Sequence, residues 1–249
     1  MVFAGGREDK IRALVTRPME DSAALVSALE DRGIEVFICP MLTIVLNRGP
    51  EPDLTGIQGV LFTSANGVRA FAKVAPRRDL PVFTVGDRTA VAAREAGFAM
   101  VESAGGDVDS LVRLVRDRCT PDSGPFLHPA GSDVAGDLAG QLGAAGFAVR
   151  RAVLYHAQAA TALSSEVVLA LSEHLIDLAL FYSPRSAETF VSLARRAGLE
   201  KACERLEILC LSKAVADAAD PIMWRRVMIA PHPLQDALLD TLDERLHRQ

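Results

Sequence analysis

No window of this sequence approaches the roughly 18 unbroken apolar residues of a membrane-spanning helix, so no membrane partner is expected. The opening MVFAGGREDK lacks the apolar stretch and cleavage pattern of a secretory signal and reads as a short ragged leader before the first strand. Cysteine is scarce: Cys39, Cys119, Cys203 and Cys210 form no CxxC pair and no metal-ligand spacing with histidine. They are expected to be buried, reduced thiols, which suits a reducing compartment and a cytoplasmic protein. Positive charge is not in excess. The formal net charge of −5 argues against a nucleic-acid partner, whose phosphates call for clustered Lys and Arg. The sequence has no GxxxxGK[ST], and Gly136, Gly140, Gly143 and Gly146 run along and past a helix rather than through a strand-to-helix turn. ATP and NAD are therefore not expected. The five histidines, His128, His156, His174, His232 and His247, are scattered, with no HxxxH pair, and GxSxG is absent, so a metal site is not expected either.

What is present is a globular α/β composition. Hydrophobic residues make up 49% and charged residues 24% of 249 residues, enough for one large domain or two of ordinary size. Short apolar runs alternate with amphipathic segments: 11 to 16, 34 to 38, 59 to 63, 81 to 85, 98 to 101, 125 to 128, 147 to 155, 177 to 182, 206 to 211 and 225 to 230. Such alternation implies βαβ units and largely parallel sheets, and ten strands suggest two five-stranded sheets.

Two internal echoes organise the chain. LFTSANGVRAF (61 to 71) and LFYSPRSAETF (180 to 190) share Leu61/Leu180, Phe62/Phe181, Ser64/Ser183 and Phe71/Phe190, 119 positions apart. Leu25/Leu138, Leu29/Leu142, Gly33/Gly146 and Val36/Val149 coincide 113 positions apart, each set reading as a helix, a glycine C-cap and a strand. Both echoes fit only if one lobe is continuous and the other is assembled from the two termini. Lobe one is expected over 1–38 plus 160–249 and lobe two over 44–152, with 39–43 and 153–159 as a two-stranded hinge that permits closure on a ligand in the cleft between them.

In open parallel sheets the ligand crevice lies beyond the carboxyl ends of the strands. The loops expected there supply Thr16 and Arg17; Thr63, Ser64 and Asn66; Gly86 and Thr89; the Gly105-Gly106-Asp107 turn; Gly131 and Ser132; Ser183, Arg185 and Ser186; Ser212 and Lys213; and His232. Helix capping accounts for any one of them. Together they gather helix N-termini and free N–H groups that would bind carboxylates or phosphates without net positive charge. Tyr155, at the hinge, either donates a hydrogen bond or a proton to a ligand or plugs the lobe junction. Tyr182 either reaches the same space or packs on the sheet. His128 and His232 either touch a ligand or are bland.

VTRP near the start, LFTSANGVRAF, VFTVGDRTAVAAREAGF, AVLY and LFYSPRSAETF together resemble, in order and over nearly the whole chain, the uroporphyrinogen-III synthases of tetrapyrrole (haem) biosynthesis. The resemblance implies two flavodoxin-like lobes. It also implies a cyclising lyase that takes hydroxymethylbilane, expels the ring-A hydroxyl as water and closes the macrocycle with ring D inverted, using no metal and no organic cofactor. By the same resemblance Tyr155 matches the family's tyrosine that assists the leaving hydroxyl, and the loop residues named above hold the substrate's eight carboxylates. A monomer is expected, with transient contact with the preceding pathway enzyme left open. The alternative is a two-lobed tetrapyrrole or carboxylate sensor without catalysis. The chain departs from the family at Ser212-Lys213-Ala214-Val215, where relatives often carry Gly-Thr-Thr, at His232 between two prolines, and at Ala135, often basic in relatives. Lys213 and Arg185 are either replacement carboxylate partners or surface charges.

Overall fold

The structure, a computed structural model, describes residues 10–133 and 136–247. The expected leader before Lys10 and the departure at Ala135 lie outside the described residues. In chain order the elements are β1 (Arg12–Val15), α1 (Ala23–Glu30), β2 (Glu35–Ile38), β3 (Leu42–Leu46), β4 (Gly59–Phe62), α2 (Ala65–Val74), β5 (Val82–Thr84), α3 (Asp87–Glu95), β6 (Val101–Ser103), α4 (Val108–Arg118), β7 (Phe126–Gly131) and α5 (Leu138–Ala144). They continue as β8 (Val149–Ala159), α6 (Ser165–Ser172), β9 (Leu178–Phe181), α7 (Pro184–Arg196), α8 (Glu200–Cys203), β10 (Glu207–Cys210), α9 (Lys213–Ala219), β11 (Arg226–Ile229) and α10 (Gln235–Leu246). Two compact units result, a terminal one of Met1–Thr43 with Gln158–Gln249 and a central one of Ile44–Ala157.

The terminal unit holds a five-stranded sheet in the order β11-β10-β9-β1-β2, with every neighbouring pair parallel. Parallel strands covered by helices on both faces should be apolar on both, and these are. Leu14, Phe181 and Ile208 point into one cluster with Val167, Phe190 and Val215 of the helices. Their strand neighbours Val15, Leu180 and Leu209 point into the other, with Leu25 and Leu29 of α1 and Leu238 and Leu242 of α10.

The central unit's sheet runs β3-β8-β7-β4-β5-β6. Val60 and Phe62 of β4 meet Val68 and Phe71 of α2 on one face, while Leu61 meets Leu111 of α4 and Leu142 of α5 on the other. The expected five strands are corrected to six here, and the expected ten overall to eleven among the described residues. The additional strand is β3, in the β-branched run Leu42-Thr43-Ile44-Val45-Leu46 that sequence reasoning treated as part of a crossing segment. β8 is eleven residues long, extends past the end of β7 and gives β3 its partner; Asn47 N–H donates to the Leu154 carbonyl at 2.8 Å just beyond.

The sequence echoes correspond to repeated contacts within each unit. Phe62 meets Phe71 edge-on with centroids 6.0 Å apart, and Phe181 meets Phe190 in the same manner at 5.4 Å. Gly33 and Gly146 both take positive φ, and the residue after each donates its N–H back across the helix end, Ile34 to Leu29 and Phe147 to Leu142. Cys39, Cys203 and Cys210 are buried free thiols, as expected, whereas Cys119 is half-buried. Burial pushes Cys203 and Cys210 up to about 12, which keeps them protonated. Among the described residues no helix is long and apolar enough to cross a membrane.

One charged pair sits in the terminal unit's core: Arg245 Nε of α10 donates to Glu207 Oε2 of β10 at 2.8 Å, and each residue is 7% exposed. Replacing one partner strands the other's charge, while replacing both removes the problem. Arg245→Met is expected to lower unfolding stability by about 3–5 kcal/mol, measured by urea denaturation, and adding Glu207→Leu should restore most of that loss.

Candidate active site

The parallel strands of the central unit end in loops that feed helix N-termini, and these loops enclose a cavity of about 370 Å³. Thr63 and Ser64 enter it after β4, Val85 after β5, Gly106, Asp107 and Val108 after β6, and Asp133 after β7. Tyr155 closes the wall from β8.

Tyr155 is held on three sides. Its OH lies 2.8 Å from Ser64 Oγ, and its carbonyl accepts from Ser132 N–H at 2.9 Å. Its ring lies over Gly131, where a Cβ would sit 2.9 Å from Cε2, so only glycine leaves room for the ring. The pairing of β7 with β8 shifts register between Ala130 and Gly131, which sets Tyr155 opposite Gly131. Arg151 Nη2 donates to the carbonyls of Gly131 and Ser132 at 2.7 and 2.8 Å and fixes the turn. Helix α2 is equally constrained, since a Cβ on Gly67 would come within 2.7 Å of the Pro129 carbonyl. Behind this wall His128 is 4% exposed, with Nε2 3.2 Å from Thr63 Oγ1. Burial, aided by the Arg151 charge, lowers its pKa to about 4, so the imidazole is neutral near pH 7.

Of the residues expected in the central unit, Thr63, Ser64 and Tyr155 line the cavity, and Gly131 and Ser132 support Tyr155. Others serve local structure. Asn66 Oδ1 accepts from Arg69 Nη2 at 2.5 Å, Gly86 is the N-cap of α3, and Thr89 is buried one turn on, its N–H donating to the Gly86 carbonyl at 3.0 Å. Sequence reasoning placed Asp107 in a crevice loop but did not name Asp133. Asp107 carries the legible sign of an N-cap: its Oδ1 accepts from Ser110 N–H and Oγ, both at 2.9 Å, which holds its carboxyl below the usual range. Asp133 has no comparable pattern. Among the described residues, the cavity lining thus contains two carboxylates and no Lys or Arg.

In the terminal unit, Thr16 is fully buried, its hydroxyl donating to the Leu180 carbonyl at 2.7 Å. Arg17, 7% exposed, stacks over Tyr182 with Cζ 4.2 Å from the ring centroid and donates to Gln235 Oε1 at 3.0 Å. Ser183 caps α7, its Oγ accepting from Ser186 N–H at 3.2 Å and lying 2.9 Å from Ser186 Oγ. Ser212 occupies the N-cap of α9 without a side-chain cap bond. Exposed Lys213 pairs with Asp217 at 2.5 Å along one helix face, and Arg185 and His232 are also exposed.

The family model described as uroporphyrinogen-III synthase HemD matches residues 23–240. A curated uroporphyrinogen-III synthase of Chlorobaculum parvum is 41% identical over 61 residues, 24% of this chain and 25% of the relative, so the match spans about a quarter of that protein's length. Among solved structures, uroporphyrinogen-III synthetase from Helicobacter pylori is similar over 95% of this chain and 99% of its own, with TM-score 0.65 and 16% identity. A mutant uroporphyrinogen III synthase from Thermus thermophilus aligns over 96% of this chain and 100% of its own, with TM-score 0.49 and 18% identity. At these identities the likeness concerns the fold.

The buried neutral imidazole makes stability depend on pH. The unfolded chain protonates His128 near its ordinary 6.5 while the folded one resists until about 4, so stability falls as pH falls through that window. Between pH 7 and pH 4.5, His128→Gln is expected to lose on the order of 2–3 kcal/mol less than the unaltered protein, measured by urea denaturation at both values.

Proposed function

Since the chain belongs to the uroporphyrinogen-III synthase HemD family, we propose that it closes hydroxymethylbilane to uroporphyrinogen III, with loss of water and inversion of ring D, in tetrapyrrole biosynthesis. The observation that carries this reading is Tyr155, whose phenol is anchored by Ser64 on the wall of a cavity large enough for a pyrrole ring.

The chemistry asks little of the protein beyond folding the substrate and assisting one departure. The electron-rich ring A expels its hydroxyl as the C–O bond breaks. Tyr155 gives that oxygen its proton, so that water leaves and a phenolate remains. Ring D attacks the resulting azafulvene-type carbon through its substituted α-carbon, giving a spiro intermediate. The spiro carbon's original bond to the bridge from ring C then breaks, that bridge carbon bonds to the other α-carbon of ring D, and the proton lost from that carbon restores the phenol. Holding the chain in the attacking geometry supplies most of the acceleration, and the proton from Tyr155 a smaller share. The two aspartates in the cavity suit a ring that gains positive charge as hydroxide departs. The acetate and propionate arms are better matched to helix N-termini such as those of α3 and α7 in the two units.

In the same reading each unit is a flavodoxin-like lobe, joined by a two-stranded hinge at 39–43 and 153–159. The order β2-β1-β9-β10-β11 supports this, being the 2-1-3-4-5 order of such sheets; the order β8-β7-β4-β5-β6 is the same one with the chain entering at its third strand. The boundaries between the units fall within β3 and β8. The enzyme works as a monomer without metal or organic cofactor, and any contact with the preceding pathway enzyme is transient. Binding without catalysis, the other reading of a two-lobed protein, would be favoured by a Tyr155 turned into the sheet, whereas its phenol lines the cavity.

Feeding the purified protein fresh hydroxymethylbilane and separating the product isomers tests the activity: type III is expected, and spontaneous type I alone would refute it. Tyr155→Phe is expected to slow turnover roughly ten- to a hundredfold with an unchanged fold by circular dichroism. A rate like that of the unaltered protein would remove Tyr155 from the mechanism.

A further inference from the structure

Ser64 Oγ has two hydrogen-bond partners. Its Oγ accepts the Gly67 N–H at the start of α2 at 3.1 Å, and it lies 2.8 Å from Tyr155 OH. A hydroxyl has one proton and two lone pairs. With one lone pair engaged by the helix, the oxygen is held in place and its proton is available to Tyr155.

The other unit contains the same serine in a different circumstance. Ser183 stands where Ser64 stands, at the N-cap of the corresponding helix, with its Oγ accepting from the backbone three residues on. There the third residue is Ser186, whose Oγ lies 2.9 Å from Ser183 Oγ and engages its hydroxyl. In the central unit that position is Gly67. The Pro129 carbonyl, 2.7 Å from where a Cβ would sit, excludes any side chain. The serine hydroxyl is thereby released from a partner inside the helix and turned toward Tyr155.

We infer that Ser64 is a positioning residue that acts through Tyr155, keeping its own proton and donating a hydrogen bond to the phenol oxygen as that oxygen gives its proton to the departing hydroxyl, and does not itself hold the substrate. This inference rests on the proposed reaction and deepens it. The Ser64–Tyr155 bond is a neutral hydrogen bond before proton transfer and a charge-assisted one to a phenolate afterwards, so it strengthens along the reaction coordinate. An interaction that tightens on the way to the transition state raises kcat and leaves substrate binding nearly untouched. Its link to the first turn of α2 adds the positive end of a helix dipole behind the developing phenolate.

The test is steady-state kinetics with hydroxymethylbilane on the full chain, scoring type-III product. Ser64→Ala is expected to lower kcat roughly tenfold with KM within about twofold of its original value. Ser64→Thr, which keeps both hydroxyl and cap, should recover most of the rate. Ser64→Gly, which preserves the helix start far better than alanine does, should behave as Ser64→Ala and so separates lost chemistry from a loosened helix. In a Tyr155→Phe background, Ser64→Ala should cause no further loss. A raised KM with unchanged kcat, or an equal loss in the Tyr155→Phe background, would overturn the inference and make Ser64 a substrate contact. Absence of type-III product from the unaltered protein would instead bring down the proposed reaction itself.

Discussion

A parallel sheet buried on both faces leaves its polar groups few places to go. Alternate strand residues must be apolar on either side, as Val60, Leu61 and Phe62 are in β4, so chemistry is confined to the strand ends. There the chain turns into helices whose first N–H groups need acceptors, which calls for Ser, Asp and Gly at the positions nearest a ligand. The cavity around Tyr155 is a consequence: Ser64 caps α2 and Asp107 caps α4, and both residues also line the space. The same side chains start the helices and furnish the site.

Within that constraint, two glycines decide which groups face the cavity. Gly131 leaves room for the Tyr155 ring, and Gly67 lets α2 approach the Pro129 carbonyl. Neither takes an unusual φ; each is required because a neighbour occupies the space of a Cβ. Arg151 anchors the turn on which Ser132 and Asp133 stand, and its charge helps keep His128 neutral. The wall of the site is thus built from small residues, two carboxylates and one phenol. Such a wall suits a reaction in which the substrate's own electrons break the bond and the protein governs geometry.

The duplicated architecture gives an internal control. Ser64 and Ser183 begin equivalent helices, and Phe71 and Phe190 seal equivalent cores, yet among the described residues it is the central unit that sets a tyrosine against its serine. In the terminal unit the corresponding hydroxyl is engaged by Ser186, and the nearby tyrosine, Tyr182, is covered by Arg17. Two similar folds have therefore diverged at the strand ends while keeping the same packing within.

The alternation of apolar strands and amphipathic helices, the two echoes and the ordered family segments were legible from the sequence, because strand and helix periodicities and short capping patterns are local properties. They yielded the α/β class, ten of the eleven strands found among the described residues, and Ser64, Gly131 and Tyr155 as candidate site residues. The strand at Leu42–Leu46 was legible only as a crossing segment expected beside 153–159; its extent and its place at the edge of the central sheet were not, because they depend on β8, more than a hundred residues away. The fate of the hydroxyls was not legible either. Thr16 and Ser64 look alike as polar residues after a strand, but one is sealed beneath the Leu180 carbonyl and the other faces a phenol. A hydroxyl's partner is set by what packs against it from distant parts of the chain, so only the tertiary structure could decide which of these residues belong to the site.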